Sequence, residues 1–141
     1  MQKTAIVTGA ARGIGKAIAK RLVEDGFFVA AVYNSSDKLA KELESELYPN
    51  VKAYKCDVSN SESVNAVVRA VLKDRKTVDV LVNNAGIAQQ KLFTDITDED
   101  WSRMIGVDLS GAFYFTRAVL PSMINEKSGR IINITSMWGE T

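Results

Sequence analysis

The sequence predicts a single doubly wound α/β domain spanning residues 1–141. Three observations predict it. Five short apolar runs alternate with four longer stretches of helical period. The runs are continuous rather than alternating, as in parallel strands covered by helices on both faces. A glycine-rich turn joins the first run to the first helix.

Thr4 to Thr8 reads as the first strand. Ile14, Ala17, Ile18, Ala19 and Leu22 then fall at helical spacing, and Gly26 supplies a stop. Phe27 to Tyr33 is the second apolar run. Leu39, Leu43 and Leu47 form an i, i+4, i+8 stripe on a helix with Ser35 or Ser36 as its cap. Val51 to Cys56 is the third strand. Ser59 with Glu62 has the spacing of a capping box, opening a helix with Val64, Val67, Val68, Val71 and Leu72 on one face. Val78 to Val82 is the fourth strand. Thr97 with Asp100 signals another helix start, followed by Trp101, Met104, Ile105, Leu109, Ala112 and Phe113. Pro121 is expected to kink or shorten that helix. Arg130 to Thr135 is the fifth strand.

Composition excludes several function classes. Lys+Arg 18 against Asp+Glu 17 leaves a net charge of +1, which gives no electrostatic case for nucleic acid or an anionic membrane. The chain contains no histidine, which removes Ser-His-Asp triads and nearly all zinc sites, so no metal is expected. The single cysteine, Cys56, excludes an internal disulfide and fits a reducing, cytoplasmic setting. No apolar run approaches the length of a membrane span.

In a doubly wound sheet, ligands bind outside the carboxyl ends of the strands. Thr8 to Gly15 lies at the first such end and carries Gly9, Gly13 and Gly15 in a G-x-x-x-G-x-G spacing. Glycine permits positive φ and close backbone approach, and the following helix aims its free N–H groups at the loop. Together these make a pyrophosphate cradle. The alternative is a tight turn that needs glycine for packing alone.

Four segments carry a resemblance to the short-chain dehydrogenase/reductase family. They are Thr8-Gly9 with Gly13-Ile14-Gly15, Asp57-Val58 after the third strand, Asn83-Asn84-Ala85-Gly86 after the fourth, and Gly129 to Ser136 around the fifth. Within that family the chain looks most like the 3-oxoacyl-[acyl-carrier-protein] reductases. The resemblance implies a Rossmann-type sheet of strand order 3-2-1-4-5, truncated after the fifth strand, and an NADPH-dependent oxidoreductase acting on a small carbonyl substrate or acyl thioester. It implies cofactor contacts from Gly9, Arg12, Gly13, Ile14, Gly15, Asn34, Ser35, Asp57, Val58, Asn84, Ala85 and Gly86.

The choice of dinucleotide rests on the end of the second strand. An NAD site needs an acid there for the ribose hydroxyls, and by resemblance that position falls on Tyr33. Neutral donors at Asn34 and Ser35 with Arg12 in the glycine loop suit a 2′-phosphate. Asp37 complicates this reading, which favours NADP(H) over NAD(H). Arg12 as a solvated surface arginine and Asp57 as a simple acceptor for the next turn remain the alternatives. Asn83 to Gly86 read as a plain turn signal is the alternative there, which the family resemblance disfavours.

The resemblance gives Ser136 the role of polarising the substrate carbonyl. It also calls for a tyrosine about thirteen residues after that serine, with a lysine four further on that favours the phenolate. No such pair follows Ser136 within the 141 residues. Tyr48 and Lys52 have the spacing, but Pro49 disfavours a helical Tyr48 and the segment leads into the third strand. Asp108 stands where the family usually has an asparagine that orders a water in proton relay. By period it lies beside the Trp101, Ile105, Leu109 and Phe113 stripe, where an unpaired carboxylate is costly, and the favoured reading is a tolerated variant that faces a polar pocket. The expectation is the cofactor-binding part of a longer reductase, inactive alone, and a homo-oligomer formed through the 100–125 helix. A non-catalytic nucleotide-binding or assembly module is the alternative, and an unrelated doubly wound domain for another phosphate ligand is a third.

Overall fold

A computed structural model describes residues 2–136. Five parallel strands form one sheet in the order β3-β2-β1-β4-β5. They are β1 (Thr4–Thr8), β2 (Phe28–Tyr33), β3 (Val51–Lys55), β4 (Val80–Asn83) and β5 (Arg130–Asn133). The helices are α1 (Gly13–Glu24), α2 (Asp37–Glu46), α3 (Ser61–Arg75), α4 (Asp98–Ile105) and α5 (Gly111–Glu126).

Strand pleating divides the apolar residues between two cores. Ile6, Ala30, Val32 and Leu81 point to one face and meet Val64, Val68 and Val71 of α3 and Phe115 and Val119 of α5. Ala5, Val7, Val29, Ala31 and Val82 point to the other, where Ala19 of α1 and Leu43 of α2 cover them. β1 is buried along its whole length, which explains its unbroken apolar run. β3 and β5 are the edges of the described sheet, and Ile132 of β5 is 47% exposed.

The register places Val7 opposite both Ala31 and Val82, and Asn83 opposite Asn133. All five strands therefore end on one side of the sheet, and the turns after them converge there.

Local signals differ from the sequence expectation in three places. Asn60, not Ser59, caps α3, its side chain accepting from Ser63 N at 2.9 Å. Ser59 instead belongs to the preceding turn, its N–H and hydroxyl both donating to Asp57 Oδ1 at 3.0 and 2.6 Å. Ser36 occupies the N-cap position of α2 without a side-chain cap bond, because its hydroxyl accepts from the Arg12 guanidinium. The helix after β4 is not one piece. A π-turn over Gly106–Ser110 separates α4 from α5, and α5 runs through Pro121 to Glu126. Pro121 is exposed, as is Arg117 one turn earlier, whose carbonyl the proline leaves without its helical donor. Water can satisfy that carbonyl, so the helix neither ends nor shortens at the proline. Thr97 and Asp100 form the expected capping box.

Candidate functional site

The first crossover opens with Gly9 at φ +63° and Gly13 at φ +58°, both left-handed conformations that disfavour any side chain. Gly15 is different, since a Cβ there would lie 2.0 Å from Gly9 O and 2.5 Å from Asn84 Nδ2. It is the close-packing glycine of the turn. Ala10 N donates to Val32 O at 3.1 Å, which ties the turn to β2. α1 carries no side-chain cap and no acidic residue in its first turn. Its leading N–H groups and positive dipole end therefore face an anion without a competing carboxylate.

Thr8 joins this turn to the segment after β4. Its hydroxyl accepts from Asn84 N and Ala85 N, each at 2.9 Å. Asn84 Nδ2 reaches back to Thr8 O at 3.1 Å and Gly9 O at 3.3 Å. Asn83 Nδ2 donates to Asn133 Oδ1 at 2.9 Å and to Thr116 Oγ1 at 3.3 Å, bracing β5 and α5. The two neighbouring amides thus lock separate joints of the sheet edge.

A cleft of about 450 Å³ opens over these turns, a size that suits a small-molecule ligand. Gly9 and Arg12 line it from the first turn, Asn34 and Ser35 from the end of β2. Asp57 and Val58 line it after β3, and Asn84, Ala85 and Gly86 after β4. Gly13, Ile14 and Gly15 lie outside its lining, Gly15 because it is buried in the turn and Ile14 because it is 65% exposed on α1. Asp57 is exposed and already accepts the two Ser59 hydrogens, so it serves the next turn as well as the cleft.

At the β2 end, the Lys55 ammonium lies 3.3 Å from Asp37 and holds its carboxyl below the usual carboxylate range. Burial, followed by the hydrogen bond to Asp37, pushes the Tyr33 phenol up. Burial likewise raises the Cys56 thiol, against the hydrogen bond it accepts from Ser63.

A smaller hollow of about 240 Å³ adjoins the cleft across Val58, Ala85 and Val107, and Asp108 and Thr135 line it. Asp108 is exposed, and its Oδ1 accepts from Ile87 N at 2.8 Å. The burial cost anticipated for this carboxylate does not arise, because Leu109 and Phe113 beside it are themselves 63% and 55% exposed. Ser136 follows β5, next to Thr135, and is exposed. It lines neither of these two clefts. Among the described residues no group of three His, Cys, Asp or Glu side chains is placed to hold a metal, and no helix is long and apolar enough to cross a membrane.

Sequence reasoning assigned no role to the Thr8 hydroxyl or to Arg103, Val107 and Ile87 in the cleft wall. Thr8 reads as an ordinary β-branched strand residue, and its one signal is its position against Gly9. Arg103 and Val107 come from α4 and the π-turn, far along the chain from the strand ends, and Ile87 directly follows the Asn83–Gly86 segment.

Residues 3–141 match the family model described as short chain dehydrogenase. The chain belongs to the short chain dehydrogenase family. It is 41% identical over 140 residues to a 3-oxoacyl-[acyl-carrier-protein] reductase of a Synechocystis strain, covering 97% of this chain and 57% of that protein. It is 39% identical to an acetoacetyl-CoA reductase of Paracoccus denitrificans, covering 99% of this chain and 57% of the relative. A metagenomic short-chain oxidoreductase solved in complex with NADP superposes with a TM-score of 0.93 at 34% identity, over 99% of this chain and 64% of that one. The chain therefore spans a little over half the length of the curated family members it matches.

Proposed function

We propose that this chain supplies the cofactor-binding part of an NADPH-dependent reductase that transfers hydride to a ketone, with a 3-oxoacyl thioester as the favoured substrate. The observation that carries the cofactor choice is the Arg12–Ser36 pair at the cleft rim. Tyr33 stands where an acid is needed for a free ribose, and the nearest carboxylate, Asp37, is engaged by Lys55. A guanidinium, a serine hydroxyl and the Asn34 and Ser35 groups then form a neutral-to-positive rim suited to a 2′-phosphate. The uncapped α1 terminus and the open space beside Gly13, where a side chain would touch none of the described residues outside its own stretch of chain, fit the pyrophosphate. The match of this chain to reductases of 3-oxoacyl and acetoacetyl thioesters supports the substrate class.

A bound nicotinamide dinucleotide supplies the hydride. Within this chain, Ala85 and Gly86 leave room for the nicotinamide ribose, and Thr8 and Asn84 hold that wall in place. Ser136 polarises the carbonyl oxygen. Asp108 belongs to the proton path through its backbone carbonyl, its side chain being engaged by Ile87 N. The only Tyr-x-x-x-Lys spacing is Tyr48–Lys52. Tyr48 is 79% exposed beyond the end of α2, and Lys52 is paired with Asp74 at 3.2 Å. These 141 residues expressed alone are therefore expected to bind NADPH without sustained oxidation of it.

Trp101, Leu109, Phe113 and Ile124 are 60%, 63%, 55% and 70% exposed along α4, the π-turn and α5. An apolar face of that kind supports self-association, and we place the protein in the cytoplasm on the family resemblance. The deciding experiment is Arg12→Ala with affinities for NADPH and NADH measured side by side. NADPH affinity is expected to fall about ten- to hundredfold, the worth of charge-assisted hydrogen bonds, with NADH nearly unchanged. An equal loss for both, or none, overturns the 2′-phosphate assignment.

A further inference from the structure

Two glycines bring the α4–α5 region against the turn after β3. A Cβ at Gly111 would lie 2.8 Å from Val58 Cγ2, and one at Gly106 would lie 3.0 Å from Ser59 Cβ. Those contacts seat the π-turn directly on the Asp57–Val58–Ser59 turn. The last turn of α4 is thereby carried to the mouth of the cleft, where Arg103 and, one turn later, Val107 join its lining.

The wall at this end has a distinct chemistry. Val58, Val107 and Ile87 are apolar, and Asp57 supplies the carboxylate. Arg103 supplies the cation, and among the described residues its guanidinium has neither a hydrogen bond nor an ion pair. It thus differs from Arg12, which is engaged by Ser36. Arg103 also lies on α4, whereas Arg12 lies beside the β2 end, so the cleft holds one arginine on each of two separate structural elements.

A planar aromatic ring with polar edges suits such a wall. Valine side chains pack against one part of it, a carboxylate accepts from an exocyclic amine, and a guanidinium lies flat over the π-face. We propose that Arg103 is a further cofactor-binding residue, stacking on the adenine ring held beside Asp57 and Val58. The proposal rests on the nicotinamide-dinucleotide reading of the cleft. It assigns Arg103 to the base, leaving the 2′-phosphate to Arg12.

The test measures equilibrium binding of NADPH, NADH and reduced nicotinamide mononucleotide, which lacks adenine, to the wild-type protein and to Arg103→Ala and Arg103→Lys. Arg103 is exposed on its helix, so neither substitution disturbs the core. Stacking on an exposed base predicts a loss of about two- to fivefold for Arg103→Ala. The loss is equal for NADPH and NADH and absent for the mononucleotide. Arg103→Lys keeps the charge but not the plane, and is expected to recover only part of it. A loss confined to NADPH, or full recovery by lysine, makes Arg103 a charge partner and overturns the stacking assignment. Unchanged affinities in Arg103→Ala overturn it too, while leaving the cofactor reading intact. A wild-type protein that binds neither dinucleotide overturns both.

Discussion

The two threonines of β1 make a matched experiment. Thr4 and Thr8 are 0% and 2% exposed, at opposite ends of one strand. The Thr8 hydroxyl accepts two backbone N–H groups at 2.9 Å. The Thr4 hydroxyl is buried and has no hydrogen-bond partner among the described residues. Valine replaces either hydroxyl by a methyl of nearly the same shape. At Thr8 the change strands two half-buried donors at about 1 kcal/mol each, the low end of the range for unsatisfied groups. The added buried methyl returns about 0.8 kcal/mol, so the net loss is about 1 kcal/mol. At Thr4 no bond is lost and a buried orphan hydroxyl is removed, so Thr4→Val gains about 1 kcal/mol. The two variants therefore differ by about 2 kcal/mol with opposite signs. Urea unfolding followed by circular dichroism reads this directly. With a slope of about 1.5 kcal/mol/M, the midpoints separate by about 1.3 M, Thr8→Val below wild type and Thr4→Val above it. Midpoints that move together, or Thr8→Val at or above wild type, would refute the assignment of Thr8 as the joint between the two cleft walls.

Other expectations follow from the same geometry. Gly15→Ala drives a Cβ into Gly9 O and Asn84 Nδ2, so it should lower stability by more than about 3 kcal/mol, read as a collapse of the thermal unfolding temperature. Asp100 is held well below the usual carboxylate range, first by the hydrogen bond from Lys91 at 2.7 Å and then by Thr97 N–H. A depressed folded-state pKa contributes stability that is fully present above the unfolded value near about pH 4 and is lost as pH falls towards the folded value. Acid unfolding scans of Asp100→Asn should lack that component, so the two proteins differ most above about pH 4 and converge as pH falls, and curves that already superpose above about pH 4 would count against it. Burial raises the Cys56 thiol, so alkylation of the native protein at mildly alkaline pH should be slow. It should slow further with NADPH, because Cys56 lines the cleft.

The centre of the sheet was legible because β1, β2 and β4 are buried on both faces and announce themselves as unbroken apolar runs, whereas β3 and β5 at the edges are partly exposed. β1 and the alternating cores built on Ile6 and Val7 follow from that pattern alone. The glycine turn was legible because positive φ at Gly9 and Gly13 leaves few other residues possible. Reading failed by one residue at the start of α3. Ser59 looked like a helix cap, yet it sits in the turn where it donates to Asp57 two residues earlier, and Asn60, one residue further on, is the cap. It failed again where spacing stayed periodic while the backbone did not. Trp101 to Phe113 keeps a helical stripe through the π-turn, so the reach of Arg103 and Val107 into the cleft showed only in three dimensions. The stripe beside Asp108 suggested a costly site for an unpaired carboxylate, whereas that helix face is open and the carboxylate accepts from Ile87 N.

The rim of the cleft has a further consequence. Arg12, Asn34, Ser35 and Asp57 are exposed, whereas Thr8, Val32 and Cys56 behind them are buried. Changing a rim residue exchanges one solvated group for another, and the sheet beneath loses no packing. The solvated side chains of the rim and the buried residues that hold the sheet are therefore separate sets. Successive substitutions along residues 33–36 and at Arg12 can retune which charged group the protein accepts. A laboratory selection confined to those few positions would search new specificities without first having to restabilise the domain.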